Sequence, residues 1–320
     1  MANLAYSMIL ADTFRDLLGS VGVSLSRSNA MFAITAVVLL PLCLLKDLSS
    51  LAPFSLLGIL GMGYTVVAMA VRYISGDYKL PDGKFVADMA ENLQPKFGST
   101  GAKGVFNPKA FILVSMLSTA YMSHFNAPKF YNELKDNTIE RFNSVVYPSF
   151  AISILFFCTV AALGFLTFGA NASGLILNNY STGDTVMGLS RVAVALSLVF
   201  SYPLVFVGSR EGVLDLLSVP KESRTDANLN ALTVLLLSIV TALALKVEDL
   251  SFVLSFGGAT LGNALIYVWP AIMFRGAVKR LGEEASDRMK VEVWVGMASA
   301  AIGTIMGFIG AKIALDGLSS

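Results

Sequence analysis

KAFILVSMLSTAYMSHFNAPKFYNELKDN, residues 109–137, is the stretch whose reading decides the fold. It opens as an apolar helix over 110–117. The next seven residues, Ser118, Thr119, Ala120, Tyr121, Met122, Ser123 and His124, are mostly small, hydroxylated or ionisable. Pro128 follows, then a charged tail over 129–136. Hydroxyls, a histidine and a proline in the middle of an apolar span are costly. Lipid offers freed backbone groups no partners, so irregular backbone at membrane depth survives only where it lines a cavity or is buried in protein. Secondary transporters hold substrates at helices broken in this way. The alternative is a helix that ends near His124 at the membrane interface.

The rest of the chain supplies the setting. Of 320 residues, 55% are hydrophobic and only 14% charged, against about 25% charged in a soluble domain; the mean hydropathy is +0.69. Apolar runs of about 17 residues or more recur along the whole length, each long enough to cross about 30 Å of hydrocarbon. This is an all-α, polytopic integral membrane protein with the lipid bilayer as its solvent. A net charge of +1 without a large basic patch speaks against nucleic acid. Cys43 and Cys158 both lie inside apolar spans, as packing residues rather than a disulfide or metal pair. No HExxH, Gly-x-Ser-x-Gly, P-loop or pair of intramembrane carboxylates occurs, so the sequence does not read as an enzyme, and no organic cofactor or metal centre is expected.

About nine spans are expected, over 4–18, 30–45, 54–73, 109–130, 144–168, 186–208, 229–245, 250–274 and 293–313. The first carries Asp12, Arg15 and Asp16 within one turn, where they neutralise one another. The second is broken late by Pro41. Gly58, Gly61 and Gly63 in the third, and Gly303, Gly307 and Gly310 in the last, form small-residue faces for close packing. Pro148 falls in the first turns of the fifth, where proline is tolerated. Extramembrane loops are expected over 74–108, 169–184 and 275–290. Two N-glycosylation patterns, at Asn171 and Asn179, fall in the second of these. Basic residues place the loops after the even-numbered spans, 275–290 among them, in the cytoplasm. The 169–184 loop then lies on the other side, in keeping with its two sequons.

Two further spans have polar centres. Ser197 and Ser201 are four apart and share a face, and Pro203 leaves the Val199 carbonyl without its helical donor. Hydroxyls beside a loosened carbonyl are hard oxygen ligands suited to a small cation. The alternative is that both serines bond back to their own helix. In the eighth span, Gly257 to Asn263 combines close approach through Gly258 and Gly262 with the polar groups of Thr260 and Asn263; plain helix packing is the alternative there. His124, the lone histidine, is either a buried, hydrogen-bonded residue or a proton relay.

Three segments carry a resemblance. His124-Phe125-Asn126-Ala127-Pro128-Lys129-Phe130-Tyr131-Asn132-Glu133-Leu134-Lys135, Ser201-Tyr202-Pro203-Leu204 with Gly208-Ser209-Arg210-Glu211-Gly212, and Gly258-Ala259-Thr260 to Pro270 resemble the amino acid/auxin permease family. The branch they look like is the sodium-coupled neutral amino acid transporter-like and vacuolar amino acid transporter-like group. The resemblance runs from Ala5 onward and makes residues 1–320 a single transporter domain. It implies a LeuT-type fold of two inverted five-helix repeats plus one helix. It also implies secondary active transport of amino acids, neutral L-amino acids in this branch, coupled to Na⁺ or H⁺ by alternating access. The membrane would be the plasma membrane or a vacuolar or lysosomal one. By the same resemblance, Tyr6, Ser118, Thr119, Ala120, Tyr121 and Ser123 would contact substrate, and Ser201 with Ser197 would hold the coupling ion. His124 would suit a proton-coupled version. The chain enters the family's pattern at its third helix, so it reads as an N-terminally truncated copy lacking the family's first two helices, one of them the other broken helix. That departure keeps open a non-transporting amino acid sensor or a partner subunit in the membrane.

Overall fold

The computed structural model describes residues 1–45, 52–98, 110–122, 124, 127–247 and 249–318. Among them there is no β-strand; the chain is a set of helices joined by turns and two structured loops. Among the described residues six helices are long and apolar enough to cross a membrane: Leu56–Ser75, Ile139–Phe168, Thr185–Leu216, Asp226–Lys246, Leu250–Glu284 and Asp287–Gly317. Large apolar side chains such as Leu60, Ile74, Phe165, Trp294 and Phe308 stand exposed on them. That is the inside-out surface expected where lipid, not water, is the surrounding phase.

The three other expected spans are helical but depart from span length or polarity. α1 (Ala2–Ser20) carries its charges in its second half. Asp16 pairs with Arg15 at 3.1 Å, whereas Asp12 reaches Arg27 at 2.9 Å, so neutralisation is shared between two helices. The second span is a composite of α2 (Arg27–Ile34), a π segment over Thr35–Leu39 and α3 (Leu40–Cys43). Pro41 sits in the first turn of α3, and the helix continues through it instead of breaking there. The fourth span is interrupted as its sequence demands. α5 (Ala110–Ala120) stops in a turn closed by Met122 N–H on the Thr119 carbonyl, and α6 (Ala127–Glu133) begins afresh. Eleven residues rise about 16 Å, half a bilayer.

The remaining helices are α4 (Ala52–Ser75), α7 (Ile139–Phe168), α8 (Thr185–Leu216), α9 (Asp226–Lys246), α10 (Leu250–Gly257), α11 (Trp269–Leu281) and α12 (Asp287–Leu318). α7 begins five residues before the expected span, so Pro148 lies in its third turn and not at its start. The Ser149 hydroxyl donates to the Val145 carbonyl beside it. Ser26, Asp184 and Thr225 cap α2, α8 and α9 with side-chain oxygens. Two consecutive π segments, Gly258–Gly262 and Ala264–Val268, join α10 to α11.

The chain divides into two compact units, Met1–Gly98 with Phe150–Leu250, and Ser99–Ser149 with Ser251–Ser320. In the first, α1 packs on α2, α8 and α9, and α4 on α8. A core of Leu10, Ile34, Leu39, Tyr202, Phe206 and Leu237 holds these helices together. In the second, α5, the π segments and α12 pack on one another.

Candidate functional site

In the first unit the polar centre of α8 faces α1 and α4. Tyr202 is fully buried and shares a 3.0 Å hydrogen bond with Ser7 of α1. The ring of half-buried Tyr6 lies 6.5 Å from that of Tyr202. Two turns further along α8, Ser209 donates to Asn3 at 2.9 Å. Ser197 lies against Gly58 of α4, where a methyl group would come within 2.6 Å of the Ser197 hydroxyl. Gly61 meets Ala193 in the same way, while Gly63 faces open space. Thr65 and Thr241 bond back to their own helices. Among the described residues neither Ser197 nor Ser201 does. Pro203 leaves the carbonyl of Val199, which lies between them in sequence, without its helical donor.

In the second unit Ser115 and Ser118 of α5 are buried. Ser115 donates to the Phe111 carbonyl at 2.9 Å and Thr119 to the Ser115 carbonyl at 3.2 Å. Gly258 lies directly on that Ser115 carbonyl and beside the Thr119 hydroxyl, with no room for a methyl group. Gly262 faces Thr119 as well. Gly310 of α12 closes on Ser115 and Ala259, and Gly307 on Ala259 and Asn263. Gly258 and Gly262 therefore serve the close packing of α5. Thr119 and Ser115 are engaged in that contact, Ala120 is exposed and Tyr121 half-buried at the break. Ser123 lies outside the described residues, as do Phe125 and Asn126.

His124 is exposed, and its Nε2–H donates to the Leu265 carbonyl at 2.9 Å. The local sequence explains why that carbonyl is open. A π-helical turn points each carbonyl at the N–H five residues on, and five residues beyond Leu265 stands Pro270, which has none.

The 169–184 loop uses both sequon asparagines structurally. Asn179 is buried; its Nδ2 donates to the carbonyls of Asn171 and Leu93, and its Oδ1 accepts from Ser173 N–H. Asn171 donates to the Gln94 carbonyl. The loop thereby docks on 74–98.

Beneath them is a charged cluster that sequence reasoning passed over. Asp184 is fully buried and receives both arms of Arg72 at 2.6 and 2.8 Å, the Tyr78 hydroxyl at 3.0 Å, and the N–H groups of Val186 and Met187. Arg72 also pairs with Asp77 at 2.7 Å. Burial, and next the Asp184 charge, push the Tyr78 hydroxyl well above the usual tyrosine range, so it stays a donor. Two turns into α8, buried Arg191 donates to the carbonyls of Leu177 and Tyr180 and lies 3.8 Å from Asp16. A lone arginine inside an apolar run was the signal available, since such a residue must find partners at membrane depth.

Residues 1–311 match the model of the family described as "Transmembrane amino acid transporter protein". The chain is 27% identical over 304 residues to Amino acid transporter AVT6E of Arabidopsis thaliana, which covers 92% of this chain and 59% of that protein. It is 26% identical over 286 residues to sodium-coupled neutral amino acid symporter 2 of Danio rerio, covering 86% and 55%. It is 26% identical over 204 residues to vacuolar amino acid transporter 7 of Saccharomyces cerevisiae, covering 64% and 39%. The chain thus spans about three fifths of the plant relative and less of the other two. With a profile matched over nearly its whole length and six membrane-crossing helices, the chain is a multi-pass membrane protein and belongs to the transmembrane amino acid transporter family.

Proposed function

We propose that the chain carries amino acids, neutral L-amino acids first among them, across a membrane by secondary active transport with alternating access. The observation that carries this reading is the helix broken between Ala120 and Ala127 inside an apolar bundle of that family. The end of α5 presents backbone carbonyls that no longer have helical donors, and these suit an α-ammonium group. Ser118, Thr119, Ala120, Tyr121 and Ser123 are the substrate contacts proposed around that end, with Tyr6 on α1.

Ser197 and Ser201, with the Val199 carbonyl, are proposed as the coupling-ion ligands. Their freedom from back-bonding supports Na⁺, and the zebrafish relative, a sodium-coupled symporter by name, points the same way. His124 is the group that would serve H⁺ instead. The ion favours the substrate-holding state by binding it more tightly than the other. The arrangement fits a LeuT-type bundle of about nine helices. α1 packs on α8 and α2 on α9, which are the pairs that a five-helix repeat relates. The plasma membrane or a vacuolar or lysosomal membrane is the proposed setting, with 275–290 cytoplasmic, and 74–108 and 169–184 on the other side. Asn171 is the glycan position proposed there; the expectation for Asn179 is corrected, because that residue is buried with both Nδ2 hydrogens donated to backbone carbonyls.

Uptake of a labelled neutral amino acid into vesicles holding the purified chain tests the reading, with a Na⁺ gradient and a pH gradient imposed separately. Accumulation driven by either gradient supports it. Saturable amino acid binding without net flux overturns transport in favour of a sensor or partner subunit.

A further inference from the structure

Ser201 on α8 and Tyr6 on α1 each have a sequence neighbour, and those two neighbours bond to each other. Tyr202 and Ser7 share a 3.0 Å hydrogen bond, and both side chains are fully buried. The Tyr6 ring lies 6.5 Å from that of Tyr202, tilted by 52°. One buried bond thus stands a single residue away from a proposed ion ligand on one helix and a proposed substrate contact on the other.

Its place on α8 sets it apart from the other ties to α1. Arg191 lies 3.8 Å from Asp16, and Ser209 donates to Asn3 at 2.9 Å. Those residues stand about 15 and 12 Å along the helix axis from Ser201, whereas Tyr202 belongs to the same turn. Both partners are shut off from solvent, so water cannot replace either of them. Pro203, the next residue, removes a backbone hydrogen bond from α8. The turn is therefore held less by its own helix and more by what its side chains meet. Successive helical residues point about 100° apart, so a turn that closes Ser197, Ser201 and the Val199 carbonyl on an ion carries the Tyr202 hydroxyl with it.

We propose that the hydrogen bond between Tyr202 and Ser7 couples the ion site to the substrate site. Closure of the 197–201 turn on the ion moves Tyr202, and Tyr202, through Ser7, sets the position of Tyr6. The inference rests on the ion and substrate roles proposed above. Tyr202 and Ser7 act as positioning residues and touch neither ligand. Coupling between binding sites is reciprocal, so Na⁺ and amino acid tighten each other's binding by one common factor, and this bond carries part of it.

Equilibrium binding of labelled L-alanine, L-glutamine and L-leucine to the whole chain in lipid nanodiscs, in Na⁺ and with choline in its place, measures that factor. Tyr202→Phe keeps the ring and deletes the hydroxyl. It should lower the factor about tenfold, the worth of one hydrogen bond, or to one where the native factor is smaller. Ser7→Ala should do the same, and it keeps the test valid if Tyr202→Phe fails to fold. The double variant leaves neither hydroxyl orphaned, so its melting temperature should return toward the native one while the factor stays low. A bond that serves folding alone would restore both together, and that result overturns the proposal. So does a native factor that both single variants retain, which leaves the transport reading standing. Binding that Na⁺ does not tighten in the native chain, or no binding at all, overturns the Na⁺-coupled reading and this proposal with it.

Discussion

Asp184 and Gly258 are both buried at helix contacts, and the two contacts are built by opposite means. Around Asp184, five donors from α4, α8 and the 74–98 loop converge on one carboxylate. Above it, Tyr78, Phe168 and Tyr180 form an aromatic cluster with centroids 4.9–5.6 Å apart. Around Gly258, by contrast, α5 and α12 approach through Ser115, Gly307 and Gly310 with no charged group involved. The difference follows from solvent. At the membrane edge, charges can be paired and partly hydrated, and a buried pair fixes one geometry. At membrane depth, charge is expensive, and dispersion between closely apposed backbones is the main attraction left.

Asp184→Ala should separate the two regions most sharply. It leaves the partly buried Arg72 without its main partner and removes the α8 cap, at about 3–5 kcal/mol. Thermal unfolding of the purified variant should fall accordingly. A change below 1 kcal/mol, of the size typical of exposed pairs, would mean the cluster is effectively solvated. In the other region Gly258→Ala forces a methyl group onto the Ser115 carbonyl and should cost about 1–3 kcal/mol by overpacking. Gly63→Ala, which meets open space, is the matched control and should be near neutral. Equal stability for both variants would break the close-packing account of α5.

Ser201→Ala sharpens the comparison from a third side, because its hydroxyl serves neither style of packing. If it is an ion ligand, the Na⁺ concentration for half-maximal uptake should rise about tenfold, roughly 1.4 kcal/mol, while stability moves by less than about 0.5 kcal/mol. An unchanged ion dependence sinks that role. The smallest expected effect is on pH. The Ser75 hydroxyl, and after it the Arg72 guanidinium, hold the Asp77 carboxyl below the usual carboxylate range. The pair therefore contributes fully above the ordinary value of about 3.9, and the contribution is lost as pH falls through the lowered folded-state value. Melting measured from pH 7 to pH 3 should show a shallow late decline that Asp77→Asn removes.

The broken fourth span was legible because it is a local matter: Ser118 to His124 cannot continue an apolar helix comfortably, and the helix stops at Ala120. The glycine faces were legible too, since Gly58, Gly61, Gly258, Gly303, Gly307 and Gly310 all meet neighbours closely. What each of them meets was not. Nothing near Leu265 in sequence announces that its carbonyl will receive His124, which is 141 residues away. The two sequons illustrate the same limit. Their spacing is a local pattern, while the hydrogen bonds that occupy both amides come from residues 93 and 94.

The sequence by itself determined the solvent, the helical class, the family and the position of the break. Hydropathy, backbone satisfaction and proline chemistry act over a few turns of chain, so they can be read in order. Tertiary structure alone decided that Asp12 pairs with Arg27, that Arg191 and Asp184 are buried with named partners, and that Asn263 donates to the Gly303 carbonyl. Each of these depends on which helices become neighbours, and a charge or amide on an apolar helix carries no record of its partner until the helices pack.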